Sequence, residues 1–535
     1  MAYILAYDIG TTGVKTCLFQ VKNQITLIAG ATAGYGLYMM KDGGAEQDAE
    51  EWWNAMCIST KKVLDKVQVN PSEIEGISFC SQMQGLVLVD KDGAPVHRPM
   101  SYMDQRATEE LKKGIAHGLQ IAGANIYKLL VSLKITGAVS SSVKDPMWKY
   151  KWIEAHEPDN FARAYRWLDV KEYIISRCTG EFVMTEDSAY ATLLYDTKQK
   201  TWSKKLCKMF DINMSHLPRI VKTTDQVGTL RHAQAMELGL NPGTPVFGGG
   251  GDATLIGIGA GCVKVGQTHI YSGTSGWVST IVDHQMVDTS AMIAAIVGAM
   301  DGKYNYFAEM ETAGKCLEWV KDHLALDEID VYLEKKDIVQ NIRMGMEKVY
   351  TSMYEYMTEV VKKAEPGSGG VIFTPWLHGN RCPFEDKNAA GMFFNIGLTT
   401  GKTELIRAVL EGICYHMRWM LECQDKKIQT SETIRFCGGG ALSDVTNQIL
   451  ADVLQRKIEV VENPQNVGSI GAAATAAVGC GLIDSMDVLG EFIPVEKEFY
   501  PNPENKEVYD DMYRVFRNLY PSNKKNFAMV NEILK

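Results

Sequence analysis

Asp252 is the one carboxylate in residues 245–261, PVFGGGGDATLIGIGAG. Four glycines precede it and small residues follow. Glycine lets a chain turn sharply and lets another molecule approach its backbone. An acid presented there suits a general base facing a bound substrate; an Asp capping the following helix would use the same residues. Three turns rich in Gly, Ser and Thr each follow an apolar run, at Gly10–Gly13, Ser272–Gly276 and Gly438–Gly440. Successive N–H groups in such turns hold phosphate oxygens, and the hydroxyls of Thr11, Thr12, Thr274 and Ser275 add donors. Asp8 immediately precedes the first turn. A carboxylate beside a phosphate is repelled unless a cation lies between, which suits Mg²⁺ bound directly or through water. Asp8 bonding its own turn is the alternative. The sequence contains no GxxxxGK[ST] motif and no protein-kinase motif set.

The elements that must position these residues follow from pattern. Residues 3–19 read as two strands around Gly10–Gly13, with a third at 24–30. Residues 48–68 read as a helix with Asp48 as its cap, and 74–80 and 85–90 as strands. From 104 to about 240 helical patterns dominate. Residues 267–282, QTHIYSGTSGWVSTIV, form a second strand–turn–strand whose SGTSG resembles the earlier GTTG. The two lie half a chain apart, as in a duplicated domain. Helices are expected near 311–324, 340–364 and 402–424, and strands at 370–374 and 434–437. After the third turn come a helix to about 455, a Gly/Ala-rich helix at 468–480 and a polar-aromatic helix at 504–519. Met344, Met346, Met353 and Met357 read as packing, and Glu334–Asp337 as solvated surface.

A chain of 535 residues is too long for one core and predicts two large domains. Apolar residues are 46% and charged residues 22%, an ordinary globular balance. The net charge of −10 argues against a nucleic-acid partner. The 12 cysteines form no CxxC pair and no zinc spacing, so they read as reduced, buried hydrophobes. The N-terminus opens into a strand without a charged leader, and no window has 18 uninterrupted apolar residues. The expected setting is cytoplasmic, without a membrane.

DIGTTGVK (8–15), SQMQG (81–85), YMDQRA (102–107), PMWKYKW (146–152), GGGD (249–252), GTSG (273–276) and CGGGALSDVTNQILAD (437–452) resemble the FGGY carbohydrate kinases, most closely the xylulokinase-like branch. The motifs stand in family order and span nearly the whole chain. The resemblance implies an α/β fold, the duplicated ribonuclease-H-like architecture shared by actin, sugar kinases and heat-shock ATPases, with two domains around a cleft. It implies an N-terminal domain over 1–261, carrying the sugar site and first phosphate turn, and a nucleotide-binding C-terminal domain over 262–535. The implied activity is transfer of the ATP γ-phosphate to a sugar hydroxyl with Mg²⁺, a ketopentose such as D-xylulose being the leading substrate. Another ketose, a polyol or an aldonate (ribulose, glycerol-like, gluconate) is the alternative. An actin-like ATPase without sugar is the alternative from another class.

By resemblance Asp252 is the general base and Asp8 the acid near the metal. Thr11, Thr12 and Lys15 belong to the first phosphate turn, and Gly273 and Thr274 to the second. Gly438, Gly439, Ala441 and Ser443 border the nucleotide. Met83 and Gln84 occupy the sugar-contact dipeptide, and Asp104 and Arg106 the DxR element beside it. The expected partners are a small sugar and ATP, with homodimerisation left open. Two departures bear on the substrate and not on phosphoryl transfer. Met83–Gln84 stands where xylulokinases carry Met-His, and HGNR (378–381) replaces SGER, with Asn380 in place of Glu. Trp52, Trp53 and Trp152 read as core or pocket wall, and His269 and His416 as satisfied core residues.

Overall fold

The first strands are buried on both faces. In the computed structural model, which describes residues 2–121, 123–323, 357–358 and 360–533, β1 (Ala2–Ile9) pairs antiparallel with β2 (Gly13–Val21), and β2 with β3 (Ile25–Gly34). Side chains alternate across a strand, so β1 serves two cores. Leu5, Tyr7 and Ile9 enter one, and Ile4 and Ala6 the other. Helix α1 (Ala49–Lys66), capped by Asp48 accepting the Glu50 N–H, covers the first face. β1 then runs parallel to β4 (Ile74–Ser81), which is parallel to β6 (Pro245–Phe247); β5 (Gln226–Thr229) closes the edge antiparallel. The short β7 (Gly250–Gly251) also pairs with β4 and leads into α2 (Asp252–Gly259).

The second half repeats this order. β8 (Thr268–Ser272) pairs antiparallel with β9 (Gly276–Val282). β9 pairs antiparallel with β11 (Tyr304–Met310), beyond which lies β10 (Ile293–Val297). After the long helix α3 (Lys402–Asp425), β12 (Thr433–Cys437) runs parallel to β8. Helix α4 (Asp444–Leu454) connects it to β13 (Lys457–Val461), parallel to β12. Helix α5 (Val467–Gly479) and the antiparallel edge strand β14 (Val495–Phe499) follow. The orders β3-β2-β1-β4-β6 and β11-β9-β8-β12-β13 have the same directions throughout, so the echo between GTTG and SGTSG is one of topology.

The two halves exchange helices. α5 follows the second sheet yet packs with Ile4 and Ala6 of the first. α2 follows the first sheet, and a Cβ on its Gly257 would lie 2.7 Å from the His269 ring on β8. The helices cross at glycines: a Cβ on Gly259 would sit 1.9 Å from the Val467 carbonyl oxygen, and one on Gly471 2.3 Å from that of Leu255. Backbone cannot yield as a side chain can. Gly471→Ala is therefore expected to destabilise the fold by about 1–3 kcal/mol, and an unchanged melting temperature would mean that the helices part freely.

The strands β10, β11, β13 and β14 were absent from the sequence reading. The tail helix α6 runs over Lys506–Ile533, through Pro521, well past 519. Stacking of Tyr520 on Phe384, with ring centroids 3.5 Å apart, ties it down beside that proline. Met344, Met346, Met353, Glu334–Asp337 and most of the expected 340–364 helix lie outside the described residues. All 12 cysteines are free. His269 and His416 accept the indole N–H of Trp277 and Trp376 within the core; His416 also bonds the Cys382 carbonyl and is satisfied, whereas His269 Nδ1 is buried without a partner, against expectation. Among the described residues no helix is long and apolar enough to cross a membrane.

Candidate active site

The first turn is closed by the Gly10 N–H on the Gly13 carbonyl at 2.9 Å and braced by the Tyr35 hydroxyl, which donates to the Gly13 carbonyl at 3.1 Å. Thr12 is exposed at its tip. The Thr11 carbonyl accepts from Gln47 Nε2 (2.6 Å), and the Thr11 hydroxyl lies 3.5 Å from the Tyr102 hydroxyl. Lys15 faces Asp8 across the strands, but its ammonium donates to the Gln465 carbonyl, just before α5. It thus ties the first hairpin to the second half.

The second and third turns abut. Gly438 has φ +89°, and a Cβ there would lie 2.5 Å from the Ser272 carbonyl oxygen, so only glycine fits. Thr274 is exposed, with its carbonyl accepting the Ala313 N–H (3.0 Å), while the Gly273 carbonyl accepts the Gly314 N–H (2.8 Å). Gly439 is exposed and a Cβ there would meet nothing within 4 Å. Ala441 is buried, and the Ser443 hydroxyl accepts the Thr446 N–H as the cap of α4. Those two side chains are used within the protein. Leu442, missed in the sequence, exposes 58% of its surface beside this turn.

Asp252 is the first residue of α2, and Gly251 holds the cap position. Gly251 has no side chain with which to cap, and the helix has no side-chain cap at that position. Asp252 Oδ1 accepts the Ala253 N–H at 2.8 Å. Burial, then the charges of Asp8 and Glu309, raise its carboxyl to about 7. The backbone leading into it is held by buried Asp187, whose Oδ2 accepts from the Gly251 N–H (2.8 Å) and the Thr254 hydroxyl (2.7 Å). Burial pushes the Asp187 carboxyl up, but Lys171 and the hydrogen bonds from Thr185, Gly251 and Thr254 outweigh it and hold the carboxyl below its ordinary range. Asp8 is raised by burial, with Lys15 and the Cys80 thiol opposing. A Cβ on Gly468, in the first turn of α5, would lie 2.8 Å from Asp8 Oδ2.

Among the described residues no group of three His, Cys, Asp or Glu could hold a metal ion. Two orphaned acceptors sit on residues tied to the first turn. Gln82 Oε1 and Gln465 Oε1 are buried without a partner, on chains that touch the first turn through Gln47 and Lys15. A lone carboxylate with acceptors for water suits Mg²⁺ that arrives on a triphosphate with most of its hydration shell.

The sugar-side residues divide. Met83 packs against the backbone before Asp252: a Cβ on Gly251 would lie 2.1 Å from its sulfur. Gln84 has φ +62°. Asp104 exposes none of its surface, and its oxygens accept from the Ala45 N–H (2.8 Å), the Arg106 N–H (3.1 Å) and the Arg106 guanidinium. Both of its oxygens are thus engaged with Ala45 and Arg106. Arg106 also donates to Glu46 (2.7 Å) and lies 4.4 Å over the Trp152 ring. Asn380 donates to the Cys382 and Phe384 carbonyls (2.9 and 2.8 Å) and is buried. That departure shapes a loop. Its neighbour Arg381, not singled out in the sequence, pairs with Glu309 at 2.9 Å.

The chain matches the profile of the FGGY family of carbohydrate kinases over residues 3–259 for the N-terminal domain and 269–480 for the C-terminal domain. A gluconokinase of Bacillus licheniformis is 28% identical over 525 residues, 97% of this chain and 95% of that one. A xylulose kinase of Bacillus subtilis (strain 168) is 26% identical over 526 residues, 98% of each. The crystal structure of ligand-bound xylulose kinase from Lactobacillus acidophilus superposes with a TM-score of 0.83 at 24% identity, covering 99% of this chain and 100% of that one. The α/β architecture is thus the two-domain, duplicated ribonuclease-H-like fold expected from the motifs.

Proposed function

Because the chain belongs to the FGGY family of carbohydrate kinases, and so is an ATP:sugar phosphotransferase, we propose that its substrate is a neutral ketose, a ketopentose such as D-xylulose first, and that Asp252 is the general base. The observation that carries the base is the carboxyl raised to about 7 at the start of α2, beside Met83. A base works best when its pKa lies near the operating pH. The sugar hydroxyl oxygen attacks the γ-phosphorus, the bond to the β–γ bridging oxygen breaks, ADP leaves, and the hydroxyl proton passes to Asp252. Thr12, Thr274 and Gly439 offer the exposed donors for the phosphates. Bound with the triphosphate, Mg²⁺ supplies charge neutralisation, and Asp8 is the residue to hold it. The division at Gly261–Cys262 belongs to the same reading, since it falls between α2 and β8.

Neutrality of the substrate is supported by how nearby cations are engaged. Arg106 is bound by Asp104 and Glu46. Arg381 is bound by Glu309. Lys149 donates to a backbone carbonyl among three aspartates. A sugar carboxylate would have to compete for them. The aldonate reading is favoured by the gluconokinase relatives instead. An ATP-coupled screen over pentuloses, hexuloses, alditols and aldonates decides: turnover led by gluconate would overturn the ketose reading.

Gln84→His is expected to change the kcat/KM ratio between D-xylulose and the best alternative sugar by roughly 5- to 150-fold, the size of one buried polar mismatch. The KM for ATP should stay nearly constant. If all sugars change by one factor, Gln84 is a packing residue.

A further inference from the structure

One peptide bond beside the sugar dipeptide is gripped from both edges. The Gln84 carbonyl accepts from Lys149 Nζ at 2.8 Å. The N–H on the other side of the same peptide, that of Gly85, donates to Asp169 Oδ1 at 3.0 Å. Lys149, from the helix Pro146–His156, exposes none of its surface, and Asp169 exposes 4%. Asp169 also caps the helix Val170–Thr179, accepting the Val170 N–H at 2.8 Å. A Cβ on residue 85 would lie 2.6 Å from Asp169 Oδ1, so glycine is what admits the carboxylate. Around the ammonium stand Asp104, Asp145 and Asp169, with Lys144 opposing.

The gripped peptide follows a residue in an unfavoured conformation. Gln84 has φ +62°, a region that non-glycine residues other than Asn and Asp seldom occupy. Such strain persists only where the surroundings over-determine it, and it clusters at functional sites. A turn needed only for its shape would be met by glycine at position 84. This chain keeps a long polar side chain there and commits two buried ionisable side chains to the next peptide. One residue earlier, Met83 lies against the backbone that leads into Asp252.

We propose that Lys149 and Asp169 are positioning residues that hold the Gln84–Gly85 peptide, and with it the Met83–Gln84 dipeptide, in the one orientation that selects the sugar. The proposal rests on the reading of Met83–Gln84 as the sugar contact. Neither residue touches the reacting atoms. Both act through the backbone, so their effect belongs to sugar binding and not to nucleotide binding.

Lys149→Met keeps the length of the stem and removes the donor. Asp169→Ser keeps a helix-capping oxygen but is too short to reach the Gly85 N–H. In each, the KM for the sugar is expected to rise roughly 5- to 150-fold, the preference between two sugars to flatten, and the KM for ATP to stay within about twofold. Either variant decides if the other fails to fold. In a Gln84→Gly background, Lys149→Met or Asp169→Ser should add nothing to the change in preference, because the side chain being aimed is gone. A folded variant with wild-type sugar KM and preference, or with sugar and ATP KM rising together, overturns the proposal. Gln84→Gly with unaltered preference would instead overturn the sugar-contact reading beneath it.

Discussion

Asp252→Asn is expected to bind nucleotide normally and to lower kcat by about 10²–10⁴-fold, the usual contribution of a positioned base. Asparagine has the same shape, and its Oδ1 still accepts the Ala253 N–H that Asp252 holds at 2.8 Å. It takes up no proton at neutral pH. The pH profile supplies the sign. A base must be ionised to act, and burial with the charges of Asp8 and Glu309 raises this carboxyl to about 7. The kcat/KM, which reports the free enzyme, should therefore rise with pH through about 7 and fall below it. Glu309→Gln removes one raising charge and should move that limb to lower pH. The residual activity of Asp252→Asn should lack the limb altogether. A variant with half the wild-type kcat would remove Asp252 from the chemistry.

What the sequence revealed about this site depends on range. The hairpin tips and Asp252 are visible because glycine and hydroxyl residues interrupt apolar runs, a signal contained in a few consecutive positions. The strands β10 and β11 were missed although Asp301–Gly302 between them is a turn signal. β14, VEKEF, was not legible: it is an edge strand with four of five residues exposed, so no buried face imposes period two. β13, KIEVV, does carry the alternation of a half-buried strand in its burial pattern.

The long-range facts have no local signature. PMWKYKW gives no reason to choose Lys149 over Lys151, yet one is fully buried under the Gln84 carbonyl and the other pairs with Glu154 and Asp211 near the surface. Asp187 lies 64 residues before the Gly251 N–H it accepts. Asn380, read as a departure touching the substrate, spends its amide on two carbonyls of its own loop. The exchange of α2 and α5 between the halves is equally invisible, because an apolar helix states that it is buried and not against which sheet.

Asp8→Asn is expected to raise the Mg²⁺ concentration needed for half-maximal activity by about 10–100-fold, the cost of losing one group that orients a metal's ligands, with little change in the KM for the sugar. The competing account is structural. Asp8 lies against the first turn of α5, where Gly468 approaches its Oδ2, and a helix N-terminus favours a carboxylate by about 0.3–1 kcal/mol. The amide keeps the volume, so the structural account predicts a small loss of thermal stability and an unchanged Mg²⁺ requirement. The pH profile gives an independent check. Among the neighbouring charges that of Asp8 does most to raise Asp252, so Asp8→Asn should also shift the limb near pH 7 downward. A shifted limb with an unchanged Mg²⁺ requirement would place Asp8 beside the base but not on the metal. Movement of both together is the result expected of a carboxylate that holds the metal and also stands beside the base.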